Sequence, residues 1–114
     1  MQSTRQNKIC RLIQQDMGDI LLREVKSSLG PSLVTVTGVR ITPDLAIARI
    51  YVSIMPLGGI SQDTILAQIR EMTPDLRRRL GLREGKQLRI IPQLEFFLDD
   101  TLDYIENIDR LLKS

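Results

Sequence analysis

Between Arg70 and Arg89 the sequence places seven bases (Arg70, Arg77, Arg78, Arg79, Arg83, Lys86 and Arg89) against three acids, Glu71, Asp75 and Glu84. A guanidinium group stays charged and presents a planar fork of donors, so arginine at this density is phosphate-binding chemistry. Arg77, Arg78 and Arg79 are consecutive on a predicted short helix whose Leu76 and Leu80 point inward, which spreads the three round its outer surface. Nothing within that run neutralises them. Arg83 and Lys86 follow in a predicted loop, and Arg89 lies on the outward phase of a predicted strand. A weaker set, Arg5, Lys8 and Arg11, recurs every third residue along one side of a first helix. Residues 95–109 hold six acids and no base, so a formal net charge of only +2 hides an uneven distribution. Such a split suits one face made for a polyanion, although a run of charge also serves as plain solvated surface.

Other chemistry is excluded by count. With no histidine and one cysteine, there is no Cys/His zinc site, no disulfide framework, no Cys-His pair and no Ser-His-Asp triad. Cys10 sits beside the Ile13 and Met17 stripe and reads as a small buried apolar residue. The carboxylates Asp99, Asp100, Asp103 and Glu106 fall in the first turns of a predicted helix, where the dipole favours negative charge. Gly81-x-x-x-Gly85 lacks the lysine and hydroxyl of a phosphate-binding loop. The expectation is no enzyme, no cofactor, no metal and no small-molecule substrate. The few aromatic residues, Tyr51, Tyr104, Phe96 and Phe97, leave little for stacking unpaired bases. Recognition of a folded RNA by backbone and shape is favoured over reading its sequence.

These residues need a scaffold. A chain of 114 residues predicts one domain, 1–114. Its polar start and the lack of an unbroken apolar stretch predict neither a secretory signal nor a membrane span, and the single cysteine points to the cytoplasm. Ser3 and Gln6 have capping-box spacing, and Ile9, Leu12, Ile13, Met17, Ile20, Leu21 and Val25 predict a helix over 4–28, stopped by Gly30-Pro31. Two strands over 33–41 and 45–55 flank the turn residues Thr42-Pro43-Asp44. Ala46, Ala48, Ile50, Val52 and Ile54 face the core, and Arg49 and Tyr51 face outward. Val34 and Val36 are out of step with Val39 and Ile41, which a bulge at Gly38 would repair.

Ser61 and Asp63 start a further helix, and Ile65, Ile69, Met72, Leu76 and Leu80 keep helical spacing through Thr73-Pro74. An interior proline loses a hydrogen bond, so the helix restarts there with Thr73 as cap and Pro74 first. Gly81 and Gly85 bound a predicted loop, a third strand runs over 88–97 with Pro92 at a bulge or edge, and a last helix carries Leu102, Ile105, Ile108 and Leu112 inward. The order is α-β-β-α(kink)α-β-α. This is an α+β fold whose three-stranded sheet is covered on one face by helices.

The runs Val34-Thr-Val-Thr-Gly-Val-Arg-Ile41, Asp44-Leu-Ala-Ile-Ala-Arg-Ile-Tyr-Val-Ser53 and Leu88-Arg-Ile-Ile-Pro-Gln-Leu-Glu-Phe-Phe-Leu-Asp-Asp100, with the ending Ile108-Asp-Arg-Leu-Leu112, resemble the ribosome-binding factor A family. The resemblance covers nearly the whole chain and implies a type II KH-like fold. It implies a helix-kink-helix around Ala-x-Gly in place of the Gly-x-x-Gly loop of nucleic-acid-clamping KH domains. Here that place reads Met72-Thr73-Pro74. It further implies a monomeric, non-catalytic factor that binds the small ribosomal subunit (30S) and its rRNA near the decoding-site helices. Such a factor assists late 16S rRNA processing, with particular weight in cold growth. The RNA-binding residues expected are Arg77, Arg78, Arg79, Arg83, Lys86, Arg89, Lys8 and Arg11. A KH-like binder of single-stranded RNA acting off the ribosome, and a protein-only adaptor, remain the alternatives.

Overall fold

The computed structural model describes residues 4–30, 32–55, 58–88 and 90–99. The first helix, α1 (Thr4–Asp19), passes through one π-helical turn, Ile20–Glu24, into a short α2, Lys26–Leu29. Val25 N–H donates to Ile20 O at 3.2 Å across five residues. The inserted residue keeps Ile20, Leu21, Val25 and Leu29 all buried on the side begun by Ile9, Ile13 and Met17. Gly30, at φ 68°, ends the segment in a conformation that costs other residues strain. Ser3, half of the expected capping box, lies outside the described residues; Gln6 Nε2 donates instead to Ile41 O at 3.1 Å and fastens α1 to the end of the first strand.

Strands β1 (Leu33–Ile41) and β2 (Ile47–Met55) form an antiparallel hairpin. Register shifts between Val36 and Gly38, where Thr37 is the extra residue. The shift buries Val34 and Val36 together with Val39 and Ile41, as the parity argument requires. Ala48, Ile50, Val52 and Ile54 face the core, whereas Ala46 lies exposed before the strand begins. The turn between the strands is held by Asp44, whose Oδ1 accepts from Thr42 Oγ1 at 2.6 Å and Ala46 N–H at 3.1 Å. Leu45 is thereby kept at φ 60°, a left-handed value for a residue with a branched side chain.

Helix α3 (Gln62–Glu71) is capped by Ser61, whose side chain accepts from Thr64 N–H at 3.2 Å. Helix α4 (Thr73–Glu84) restarts at the expected kink, one residue earlier than predicted. Met72 is the cap and Pro74 falls within the first turn, where its missing N–H costs no helical bond. Thr73 Oγ1 turns back to donate to Ile69 O at 3.4 Å. The loop expected from Gly81 is instead the last turn of α4. The ion pairs of Arg83 with Asp19 and Glu24 hold that turn against the first helix and its π-turn.

The third strand is shorter than predicted: β3 is Gln93–Leu98, parallel to β2, giving the sheet order β1-β2-β3. Residues 88, 90, 91 and 92 precede it, and Pro92 is buried ahead of the strand rather than at a bulge within it. The mixed sheet, covered by helices on one face, is the α+β arrangement read from the sequence. The expected last helix lies outside the described residues. No helix among the described residues is long and apolar enough to cross a membrane.

Candidate nucleic-acid interface

The arginines of α4 are on its outer surface, but they are not free. Arg77 donates from Nε to Pro92 O at 3.1 Å and from Nη2 to Ile91 O at 2.6 Å. Arg78 holds Asp75 at 2.7 Å, and Arg79 bridges Asp75 at 2.8 Å and Glu24 at 3.0 Å. Arg83 binds Glu24 at 2.6 Å and Asp19 at 2.8 Å, with Asp16 3.8 Å away. The expectation that nothing neutralises this run is therefore corrected for Arg78 and Arg79, whereas Arg77 keeps its charge and spends its donors on carbonyls. Its acids come from the same helix three or four residues back and from the π-turn of the first helix, which tertiary packing brings alongside. The arginine hydrogen bonds hold the Asp75 and Glu24 carboxyls below the ordinary carboxylate range, with Arg79 the main cause for Asp75 and Arg83 for Glu24. Bonds to Asp75 and Asp19 in turn raise Arg79 and Arg83.

Arg70 is engaged as well. Its Nε and Nη2 both donate to Phe96 O, at 3.2 and 2.8 Å. Arg70 and Arg77 thus close carbonyls on and just before the outer edge of β3, which would otherwise be open to another strand. Tyr51 on the uncovered sheet face stands against Phe97, ring centroids 5.7 Å apart, and Arg70 lies 6.0 Å from the Phe97 ring. Arg49 pairs with Glu95 at 3.5 Å. Phe96 is core.

Among the described residues, bases without partners lie elsewhere, Lys26 and Arg40 included. Arg5, Lys8, Arg11 and Lys86 are exposed and enter no hydrogen bond or ion pair among the described residues. Arg5, Lys8 and Arg11 line one depression of about 400 Å³, floored by Ile9, Leu12 and Leu88. Arg5 and Lys86 line a second, of about 640 Å³, against Leu45, Leu88 and Ile90. Arg5, Gln87 and Leu88 belong to both, which makes them one trough. Three elements meet to form it. The start of α1 is fastened to β1 through Gln6, the 42–46 turn is pinned by Asp44, and Gln93 N–H donates to Ala46 O at 2.9 Å as the chain enters β3.

Of the expected site residues, the fold brings Lys8, Arg11 and Lys86 together and adds Arg5, which the sequence offered only as part of the weaker set. It places Arg77, Arg78, Arg79 and Arg83 on another flank; Arg89 lies outside the described residues. A three-residue spacing on α1 was the available signal. Its convergence with Lys86 depends on the path of the segment after α4. Among the described residues no group of three or more His, Cys, Asp or Glu could hold a metal ion.

Residues 5–112 match the family model described as Ribosome-binding factor A. The chain is similar to the ribosome-binding factor A of Cytophaga hutchinsonii, 43% identical over 116 residues that cover 100% of this chain and 84% of that protein. Among solved structures it is similar to the crystal structure of ribosome-binding factor A from Thermus thermophilus, with a TM-score of 0.64 and 20% identity over 82% of this chain and 94% of that one. A homology model of Thermus thermophilus ribosome-binding factor A, fitted into the cryo-EM map of a 30S complex, is similar with a TM-score of 0.62 and 19% identity, covering 79% and 90% of the two chains.

Proposed function

The chain belongs to the ribosome-binding factor A family, and from that membership we propose that it binds the free small ribosomal subunit through its rRNA. In this reading it holds one RNA conformation late in assembly and assists maturation of the 16S rRNA. It acts by binding, as a single domain and a single copy in the cytoplasm. The observation that supports the RNA reading is the unpaired cationic set Arg5, Lys8, Arg11 and Lys86 around one trough. Unpaired bases release counterions when they meet phosphates, whereas bases already neutralised by carboxylates have less to gain. The contact residues are accordingly Lys8, Arg11 and Lys86 from the expected set, joined by Arg5. Arg78, with a side chain 59% exposed, adds a peripheral charge, and Arg77, Arg79 and Arg83 chiefly brace the fold.

Sucrose-gradient fractionation of a cell lysate tests this. The native chain should travel with free small subunits and be depleted from mature ribosomes. The combined Lys8→Ala, Arg11→Ala and Lys86→Ala variant should stay in the soluble fractions with its thermal melt unchanged. Undiminished co-sedimentation of that variant would overturn the assignment of these residues.

A further inference from the structure

The trough has two compartments of different chemistry. Against α1 it carries Arg5, Lys8 and Arg11, whose positions climb the helix by roughly 4.5 Å per step of three residues. Between the 42–46 turn and the segment after α4 the recess is larger, with Leu45, Ala46, Leu88 and Ile90 as its apolar walls. Ile90 is 77% exposed there, a large aliphatic side chain left in water beside a cavity of about 640 Å³. This compartment also contains Asp44, whose carboxyl is held below its ordinary range by bonds from Thr42 and Ala46. A fixed negative charge at that wall repels a phosphate but accepts hydrogen bonds from a base. Gln87 supplies an amide with both donors and an acceptor. Arg5 stands at the junction and offers a guanidinium plane for stacking, which substitutes for the missing aromatic.

We propose that this trough takes one unpaired nucleotide extruded from a folded RNA, with its flanking phosphates along Arg5, Lys8 and Arg11 and its base in the recess between Leu45, Ala46, Leu88 and Ile90. The proposal rests on the RNA-binding reading and deepens it by naming the RNA feature recognised. The site is separate from the β3 edge beside the helix-kink-helix, where Arg70 and Arg77 already occupy the carbonyls. Two of the walls are prebuilt: the turn is locked by Asp44, and Gln87 N–H and Leu88 N–H both donate to Glu84 O, at 2.8 and 2.9 Å. A base entering the recess therefore orders little protein, and its apolar faces leave water.

The test uses the full chain and two short hairpin RNAs, one fully paired and one carrying a single bulged 2-aminopurine. Fluorescence anisotropy should give binding about tenfold tighter for the bulged hairpin, the fold-change expected from seating one base. Emission of the 2-aminopurine should change as it leaves the RNA stack. Ala46→Trp should fill the recess and bring the ratio close to one, while affinity for the paired hairpin and the thermal melt stay put, and Gln87→Trp should separately bring the ratio close to one. Lys8→Ala with Arg11→Ala should weaken both hairpins alike. Equal native affinity for the two hairpins, or a bulge preference that survives in both tryptophan variants, would overturn the nucleotide recess. If that equal affinity still fell in the Lys8 and Arg11 variant, the phosphate-binding reading would stand without it. Loss of binding to both hairpins would overturn the recess, leaving co-sedimentation to decide the broader reading.

Discussion

Glu84 is fully buried on α4, and neither of its carboxyl oxygens meets a donor among the described residues. The titratable group that faces it is Asp16 of α1, another acceptor, so the two can bond only if one carries a proton. Burial and, secondarily, Asp16 push the Glu84 carboxyl up to about 8. Arg83, next in the chain, is turned toward Asp19 and Glu24 with Asp16 3.8 Å away, and leaves Glu84 uncompensated. A folded-state value above the unfolded one means that the native state holds the extra proton between the two. Glu84 therefore favours folding most at low pH, and that contribution falls as pH rises through the window up to about 8. Glu84→Gln keeps the donor to Asp16 and removes the charge. Urea melts should show the variant more stable than the native chain by roughly 3 kcal/mol at pH 9 and nearly equal at pH 5. A parallel pH dependence in both proteins would place the titration elsewhere.

At the level of elements, α4 is a brace between two parts of the fold. One side of it meets the first helix through Arg79, Arg83 and Glu84, and its Arg77 closes carbonyls ahead of the β3 edge. Arg77→Ala leaves the Pro92 and Ile91 carbonyls without that donor. It should cost roughly 1 to 2 kcal/mol in a chemical melt and change small-subunit affinity less than threefold. A large affinity loss with an unchanged melt would return Arg77 to the RNA interface. Leu76, on the buried side of the same helix with no exposure, shares the core with Ile65, Ile69 and Leu80. Leu76→Asp should abolish the cooperative melt, since an unpaired carboxylate there costs several kcal/mol. The element pattern was legible because its signals are local. Alternation marked β1 and β2, parity located the bulge near Gly38, and Thr73-Pro74 marked the kink. The end of α4 was not legible, because Gly81 reads locally as a stop while Arg83, which carries the helix past it, finds its partners Asp19 and Glu24 on the first helix and its π-turn.

For the whole molecule, the fold sorts charge into a neutralised flank and an open one. Carboxylates at Asp16, Asp19, Glu24 and Asp75 gather under the α4 arginines, and Arg5, Lys8, Arg11 and Lys86 stand unpaired around the trough nearer the start of α1. If four phosphates are met by Arg5, Lys8, Arg11 and Lys86, the logarithm of small-subunit affinity should fall with the logarithm of salt at a slope of roughly 3 to 4. Lys8→Ala should lower that slope by about 1. A slope near zero for the native chain would favour a protein-only contact and sink the electrostatic reading.

Composition, periodicity and the ordered motifs determined the absence of Cys/His chemistry, the α+β arrangement, the element order through β3 and the family likeness. All of these follow from which residues are present and from their spacing along the chain. Which cations are available to a ligand was decided only by the tertiary structure. Charge belongs to a residue, but neutralisation belongs to a pair, and Arg83 finds its acids 59 and 64 residues away in sequence. The densest run of arginine became the fold's own bracing, while the sparser bases of the first helix kept their charge free for a partner.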